Sequence, residues 1–359
     1  MKFDYILALL ASVLIIIGIL ILASVSGIAS REAFGNTNHY LVHQLLWGIL
    51  PGVLLAIFFF FIPLGFFKKW AWAAVLLNVI VMILVFIPGI GIIAGGAPRW
   101  LNLGFISVQP AEFFKLSFAI YIATWLSNPL RKGNVKYNLI PFLIIFGVVA
   151  FILGMQSDLS TLGVISFLGF AMYFSSDSPL WHTGAIAAIA LASGALLIRI
   201  SDYRTMRLKV LLGVIEDPMG LGYQIKQILI AIGSGGVIGL GLGMSAQKFG
   251  FVPQTMSDSI FAIYAEETGF LGCIFLIACF FLFLWRCFRI AKLSQDKFSR
   301  VFAVGIGSWI AIQAFINMGA MAGIIPLTGI PLPFISYGGS HIISEIAATG
   351  ILLNISRKR

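Results

Sequence analysis

The chain has 359 residues, 60% of them hydrophobic and only 10% charged, with a formal net charge of +10. At a mean hydropathy of +1.04, this is more apolar surface than one soluble fold of that length can bury, so an integral membrane protein is implied and a soluble domain excluded. The basic excess is not a nucleic-acid footprint, because most Lys and Arg stand in short loops between apolar runs, where they set topology.

The first apolar run, Tyr5 to about Ile28, outlasts the roughly 7–15-residue core of a signal peptide and predicts an uncleaved first helix, with cleavage near Ala23 or Ser26 as the alternative. Further runs lie at about 40–62, 70–93, 110–127, 139–156, 160–176, 180–199, 259–285, 301–323 and 339–355. About 20 apolar residues cross a bilayer as a helix. The pattern therefore predicts an all-α membrane protein of about ten transmembrane helices in a single domain, 1–359. The runs ending near 156 and 176 are short and weakly separated.

Alternate loops carry the positive charge: Lys2; Lys68 and Lys69; Arg131, Lys132 and Lys136; Arg286, Arg289, Lys292, Lys297 and Arg300; and Arg357, Lys358 and Arg359. The short loops between them hold only Arg31 and Arg99. The bias predicts that both termini are cytoplasmic. Residues 200–258 then form a long extracytoplasmic loop between helices 7 and 8, with Arg204, Arg207, Lys209, Lys226 and Lys248. Long loops escape the charge rule and often carry function. Within this one, Tyr223 to Ile232 is amphipathic, suited to lie in the interface or to re-enter the membrane.

Charged residues inside the apolar runs are candidate functional groups, since a carboxylate or amine at mid-bilayer costs roughly 2.5–3.5 kcal/mol. Glu112 and Lys115, three apart, share a helix face as an ion pair or as ligand or proton carriers. Asp158 stands where an N-cap is expected and is also a site candidate. Asp258 opens the eighth run, with Glu266 and Glu267 about two turns deeper. Glu345 is a lone acid in the last run, and His341 lacks an Asp spaced to complete a nucleophilic triad. His39 and His43 could share a metal on one helix face, but no third ligand is near; an interfacial pair is the simpler reading. The glycines from Gly233 to Gly243 imitate a dinucleotide fingerprint without its strand–helix context, and predict close backbone packing or a turn. Cys273, Cys279 and Cys287 lack metal-ligand spacing and read as packing residues.

Several motifs, in order, resemble the SEDS family (shape, elongation, division and sporulation), which includes RodA and FtsW. They are Gly96-Ala-Pro-Arg-Trp-Leu-Asn-Leu-Gly104, Gln109-Pro-Ala-Glu-Phe-Phe-Lys115, Gln156-Ser-Asp-Leu159 and Asp217-Pro-Met-Gly-Leu-Gly-Tyr-Gln224. Gly239-Leu-Gly-Leu-Gly-Met-Ser-Ala-Gln-Lys248, Asp258-Ser-Ile-Phe-Ala262, Glu266-Glu-Thr-Gly269 and Pro331-Leu-Pro-Phe-Ile-Ser-Tyr-Gly-Gly-Ser340 follow. The loop motif ending at Lys248 is more similar to the FtsW/SpoVE branch than to RodA. One departure precedes Asp258: the family's Pro-Glu-x-His-Thr-Asp-Phe is here Pro253-Gln-Thr-Met-Ser-Asp258-Ser259, so helper roles of the Glu and His do not carry over.

The resemblance implies a ten-helix fold in the bacterial cytoplasmic membrane and a peptidoglycan glycosyltransferase that polymerises lipid II at the outer face, for division or shape. Asp258 matches the family's essential aspartate. In that chemistry a carboxylate takes the acceptor proton while the diphosphate of the undecaprenyl-linked glycan needs positive charge or a metal. Arg99, Arg204, Arg207 and Lys248 are the candidate cations, Mg²⁺ or Mn²⁺ the candidate ions, with no organic cofactor. Glu112, Lys115, Asp158 and Ser340 are candidate substrate-site residues. The implied partners are lipid II, the bilayer and a class B penicillin-binding protein acting as transpeptidase. A lipid II flippase or a scaffold for that transpeptidase are the alternatives.

Overall fold

The computed structural model describes residues 3–94, 97–104, 106–128, 135–199, 202–214 and 220–357. Lys2, Gly96, Arg131, Lys132, Asp217, Pro218, Met219, Lys358 and Arg359, which entered the sequence reading, lie outside them.

Each expected apolar run contains a helix. The first is α1 (Tyr5–Phe34), started by Asp4, whose carboxylate accepts from the Leu7 amide at 3.0 Å, and stopped at Gly35, whose φ of 68° only glycine adopts freely. The second is one continuous helix made of α2 (His39–Gln44), a π turn (Leu45–Ile49) and α3 (Leu50–Phe61). The π turn ends two residues before Pro51, and a second one (Val135–Leu139) ends two residues before Pro141 in α6 (Ile140–Met155). A proline ring clashes with the carbonyl four residues back and offers no N–H, and an inserted residue relieves both defects.

The third run is corrected. Its helix, α4, is Leu64–Leu84 and not 70–93. Pro88, Gly89 and Gly91 end it, and a Cβ on Gly91 would lie 1.8 Å from the Val85 carbonyl oxygen. The chain then forms a three-stranded antiparallel sheet, β1 (Gly91–Ala94), β2 (Ala97–Asn102) and β3 (Ser107–Val108), in the order β1-β2-β3. The fold is therefore mostly helical but not all-α. Apolar content alone does not separate a strand from a helix end.

α5 (Pro110–Leu126), α7 (Leu159–Phe174) and α8 (Leu180–Arg199) complete the first half. Among its described residues the long loop holds two helices, α9 (Asp202–Leu211) and α10 (Leu221–Ser234), the latter covering the amphipathic stretch, and runs on through turns to Asp258. Then come α11 (Ile260–Leu293), α12 (Lys297–Met321) and α13 (Gly339–Arg357).

α12 packs on α5, α7 and α11, and α13 packs on α3 and α5, so α5, α12 and α13 form the interior. Trp309, Phe302, Phe298 and Phe118 are fully buried there. On the periphery Leu9, Phe61 and Phe281 are 63%, 66% and 67% exposed. Water would penalise such faces and lipid would not, so this is a multi-pass membrane protein; among the described residues six helices are long and apolar enough to span a bilayer by length and composition.

The bundle has two distinct ends. At one, Asp4 pairs with Arg286 at 2.6 Å, Lys68 with Asp296 at 3.0 Å and Arg300 with Asp177 at 2.8 Å. At the other, the sheet, the N-terminus of α7 and the chain between α12 and α13 converge: Arg99 reaches the α6–α7 junction and Ser160 donates to the Thr328 carbonyl at 2.8 Å.

Candidate active site at the converging end

Asp258 lies just before α11. The chain preceding it is stitched to the segment before α13: the Ser336 hydroxyl donates to the Ser257 carbonyl at 2.6 Å and the Tyr337 amide to the Met256 carbonyl at 2.8 Å. Asn317 of α12 donates from Nδ2 to the carbonyls of Asp258, at 2.8 Å, and Ile330, at 2.7 Å. Gly329 leaves space for the carboxylate, since a Cβ there would come within 3.2 Å of Asp258 Oδ2. Asn317 of α12 and the segment before α13 thus fix the chain at Asp258, which stays partly exposed. Burial pushes the carboxyl up to about 6, against the pull of Arg207, His341 and Arg99 and a hydrogen bond from Ser257.

Arg207 and Arg99, both expected at the site, act electrostatically on Asp258. Arg99 of β2 donates to the carbonyls of Gln156, at 3.0 Å, and Ser157, at 2.8 Å. Ser157 has a φ of 52°, a conformation such contacts can hold. Arg207 of α9 donates to the Leu327 carbonyl. Arg204 lies one turn earlier on α9, and its side chain is outside what is described.

Asp158 caps α7, accepting from the Thr161 amide at 3.1 Å and the Thr161 hydroxyl at 2.9 Å. It also accepts from Gln109 Nε2 at 3.4 Å, and the Gln109 amide donates to Ser340 Oγ at 3.0 Å. Asp158 and Ser340 are therefore joined through Gln109.

Glu112 and Lys115 pair at 2.7 Å, almost wholly buried. Lys115 also donates to Gln313 Oε1 at 2.8 Å and sits 5.0 Å from the Trp309 ring centroid. Gln313 Nε2 donates to Glu345 Oε1 at 3.2 Å and to the Pro331 carbonyl at 3.1 Å. Glu345 accepts from the Phe334 amide at 2.7 Å and faces His341 Nδ1 at 3.4 Å. This is the partner set missing from the sequence reading of Glu345. It forms a buried floor beneath the segment that holds Asp258.

Lys248 is placed differently from expectation. Its ammonium lies 3.6 Å from Glu267 Oε1, 3.3 Å from Ser24 Oγ and 2.5 Å from the Gly243 carbonyl. Glu266 accepts from the Ser245 hydroxyl and the Ala246 amide. The two adjacent carboxylates thus hold the glycine-rich loop and do not pair with each other. The loop lies against a break in α11 at Gly269 (φ 67°, ψ −166°). The Leu240 and Gly241 amides donate to the carbonyls of Glu266 and Glu267, each at 3.0 Å. The Phe270 and Leu271 amides donate to those of Gly236 and Val237. A Cβ on Gly239 would fall 2.2 Å from the Glu267 carbonyl oxygen, so the glycines serve backbone packing.

Among the described residues no three of His, Cys, Asp and Glu cluster as metal ligands. His43 Nδ1 lies 3.0 Å from the Tyr337 hydroxyl and His39 stacks on Phe34, so the two are held by aromatic neighbours. Cys279 and Cys287 are buried and Cys273 partly so, without a disulfide.

An apolar helical bundle with a partly exposed acid at one end, on which Arg207 and Arg99 act electrostatically, defines a multi-pass membrane protein with a polar site at one end of the bundle. The chain belongs to the FtsW, RodA and SpoVE family, described as cell cycle proteins, whose pattern it matches over residues 4–359. It is 36% identical over 355 residues to stage V sporulation protein E of Bacillus subtilis, covering 99% of this chain and 97% of that one. It is 35% identical over 363 residues to the probable peptidoglycan glycosyltransferase FtsW of Thioalkalivibrio sulfidiphilus, covering 99% and 90%. These names agree with the FtsW/SpoVE likeness read from the motifs. In fold it is similar to a chain of a solved peptidoglycan synthase complex that coordinates polymerization and crosslinking (TM-score 0.80, 24% identity, 100% and 98% covered). It is likewise similar to the rod shape determining protein RodA of Thermus thermophilus (TM-score 0.74, 24% identity, 100% and 98% covered).

Proposed function

We propose that this protein is a peptidoglycan glycosyltransferase that polymerises lipid II into glycan strands, for division or shape, with Asp258 as its base. One observation carries the residue assignment: Asp258 is a partly exposed carboxyl held between α12 and the segment before α13, on which Arg207 and Arg99 act electrostatically. Relatives covering nearly the whole chain and named for this activity support the reaction class.

Asp258 takes the proton of the acceptor 4-hydroxyl on the N-acetylglucosamine of lipid II as that oxygen attacks the anomeric carbon of the growing strand. The bond from that carbon to the undecaprenyl diphosphate breaks, and the electron pair leaves with the diphosphate. Arg207 and Arg99, aided by Arg204, stabilise the departing charge. Asp158 and Ser340, joined through Gln109, shape the wall beside them, and Glu112 with Lys115 supports the floor. Lys248 acts through the loop it anchors. A divalent cation, Mg²⁺ or Mn²⁺, would add positive charge for the departing diphosphate.

All ten apolar helices cross the bacterial cytoplasmic membrane in this reading. Lys68, Lys69, Arg286, Arg289, Lys292, Lys297, Arg300 and Arg357 gather at the end away from Asp258, which supports cytoplasmic termini and an extracytoplasmic site. A class B penicillin-binding protein is the proposed partner. The deep charges Glu112 and Lys115 pair with each other and are joined to the buried Glu345 through Gln313, which favours support over a carrier's two-sided access.

The test is purified protein with fluorescent lipid II and a divalent cation, with and without the transpeptidase, products resolved on a gel beside Asp258→Asn. A ladder that the variant loses is the expected result. No ladder from the wild-type protein with its partner bound would overturn the reading in favour of a scaffold or lipid-handling role.

A further inference from the structure

Lys248 is the only charged residue between Lys226 and Asp258, and it turns inward. Its ammonium faces Glu267, and its side chain is 7% exposed. Ser245 turns in as well, donating to Glu266. The large side chains left outside are apolar: Ile238 (79% exposed), Leu240, Leu242, Met244, Phe249 and Phe251. The backbone is served from within too. Besides the bonds from Leu240 and Gly241 to α11, the amides of Gly239, Met244 and Phe249 donate to carbonyls of the loop itself. This stretch is polar toward the protein and apolar away from it, the reverse of a loop built for water.

Two ties between α1 and α11 set the height of the patch. Asp4 binds Arg286 at one end, and Ser24 donates to Glu267 Oε1 at 2.5 Å at the other. On each helix the ties stand about 20 residues apart, roughly 30 Å at a rise of 1.5 Å per residue, which is the thickness of the hydrocarbon in a bilayer. Neither helix carries a charged residue between its ties. Glu267 therefore marks one hydrocarbon boundary. The loop pairs with α11 at that level and just inside it, where the Gly236 and Val237 carbonyls accept from the Phe270 and Leu271 amides. Phe270, Leu271, Ile274 and Phe275, exposed on the next turns of α11, continue the patch into the lipid-facing belt.

We propose that the apolar edge of residues 238–251 is immersed in the adjoining lipid leaflet, its six side chains among phospholipid acyl chains, so that this part of the long loop is a membrane anchor and not an aqueous loop. The inference goes beyond the polymerase reading and does not depend on it. Irregular backbone is tolerated at this depth where its polar groups are satisfied on the protein side, as they are here for the amides named. An exterior free of charge at the hydrocarbon boundary suits lipid better than a docked protein, whose contact would have a polar rim. Immersion also keeps water from the ion pair of Lys248 and Glu267, which lies behind the apolar edge.

The test is spin labelling of the full chain in phosphatidylglycerol–phosphatidylcholine vesicles without a transpeptidase. Cys273, Cys279 and Cys287 are replaced by alanine, and single labels are placed by Ile238→Cys, Leu242→Cys and Phe249→Cys. Thr37→Cys serves as the exposed loop reference and Phe281→Cys as the lipid-facing one. Collisions with oxygen, which enters hydrocarbon, are compared with those of a nickel chelate, which stays in water. The three loop labels are expected to show an oxygen-to-nickel ratio at least about tenfold above that at Thr37, because a polar chelate is excluded from hydrocarbon. A ratio equal to that at Thr37 overturns the inference. Nickel access that disappears only when a transpeptidase is added overturns it in favour of a partner surface. Nickel exclusion accompanied by spin–spin broadening, with access restored on dilution by unlabelled protein, overturns it in favour of contact between two copies. If the cysteine-free chain loses its melting transition, benzoylphenylalanine at the same three positions of the native chain decides. Photocrosslinking to an alkyne-tagged phospholipid supports immersion, and its absence refutes it. None of these readouts involves glycan synthesis, so the anchor and the polymerase reading stand or fall separately.

Discussion

At Asp258 two effects oppose each other: loss of water disfavours the carboxylate, and Arg207, His341 and Arg99 favour it. With the balance at about 6, the base is ionised above that pH and protonated below it. Polymerisation should therefore be flat above about pH 7 and fall roughly tenfold per unit below about pH 6, read from initial rates of lipid II consumption. Asp258→Asn should keep the melting transition and make no polymer. Arg99→Ala should weaken lipid II handling, raising KM or lowering kcat, and a melt that stays in place would show that its two carbonyl contacts are not what is being measured. Asp258 was legible in the sequence because an acid at the mouth of an apolar run is conspicuous. Gln313, Asn317 and the His341–Glu345 pair were not, because their meaning lies in contacts with Asp258, Ile330, Phe334 and Lys115 across long chain separations.

At the scale of elements, the glycine-rich loop and α11 are one construction. Breaking a helix strands carbonyls and amides, and in lipid these must find partners. Here the loop backbone supplies them, and Glu266 and Glu267 fasten its side chains. Gly239→Ala puts a methyl group into the Glu267 carbonyl and adds a strained φ of 82°, so it should cost about 1–3 kcal/mol, read as a lowered melting temperature. Lys248→Met leaves the buried Glu267 carboxylate without its cation and should cost about 3–5 kcal/mol by the same measurement. A loss of activity without a change in melting would move Lys248 back to the diphosphate. The sequence predicted close packing from the glycines but not the break, since a glycine at 269 within an apolar run reads as ordinary helix. The sheet escaped for a related reason: Gly91–Ala94 is as apolar as the helix before it.

Over the whole molecule, helix positions followed directly from hydropathy because lipid leaves few other structures for apolar runs of that length. What hydropathy could not give was the order of packing, which puts α5, α12 and α13 inside. Single cysteines replacing Lys68 and Thr37 should label from opposite sides of the membrane with an impermeant thiol reagent, Lys68 from the cytoplasm; labelling of both from one side would refute the proposed orientation.

The bond between Asp4 and Arg286 sets a schedule for assembly. Its partners are 282 residues apart and the carboxylate also receives the α1 amide of Leu7, while the Asp4 amide donates to Ser356 of the last helix. Ribosomes add about 5–20 residues per second, so α1 waits roughly a quarter of a minute to a minute for the guanidinium that closes its base. During that interval Asp4 must remain at the water interface, and the first helix is held in the membrane by its apolar length alone. A chain stalled before α11 is therefore an open bundle with an uncommitted first helix, and membrane quality-control proteases would meet it in that form.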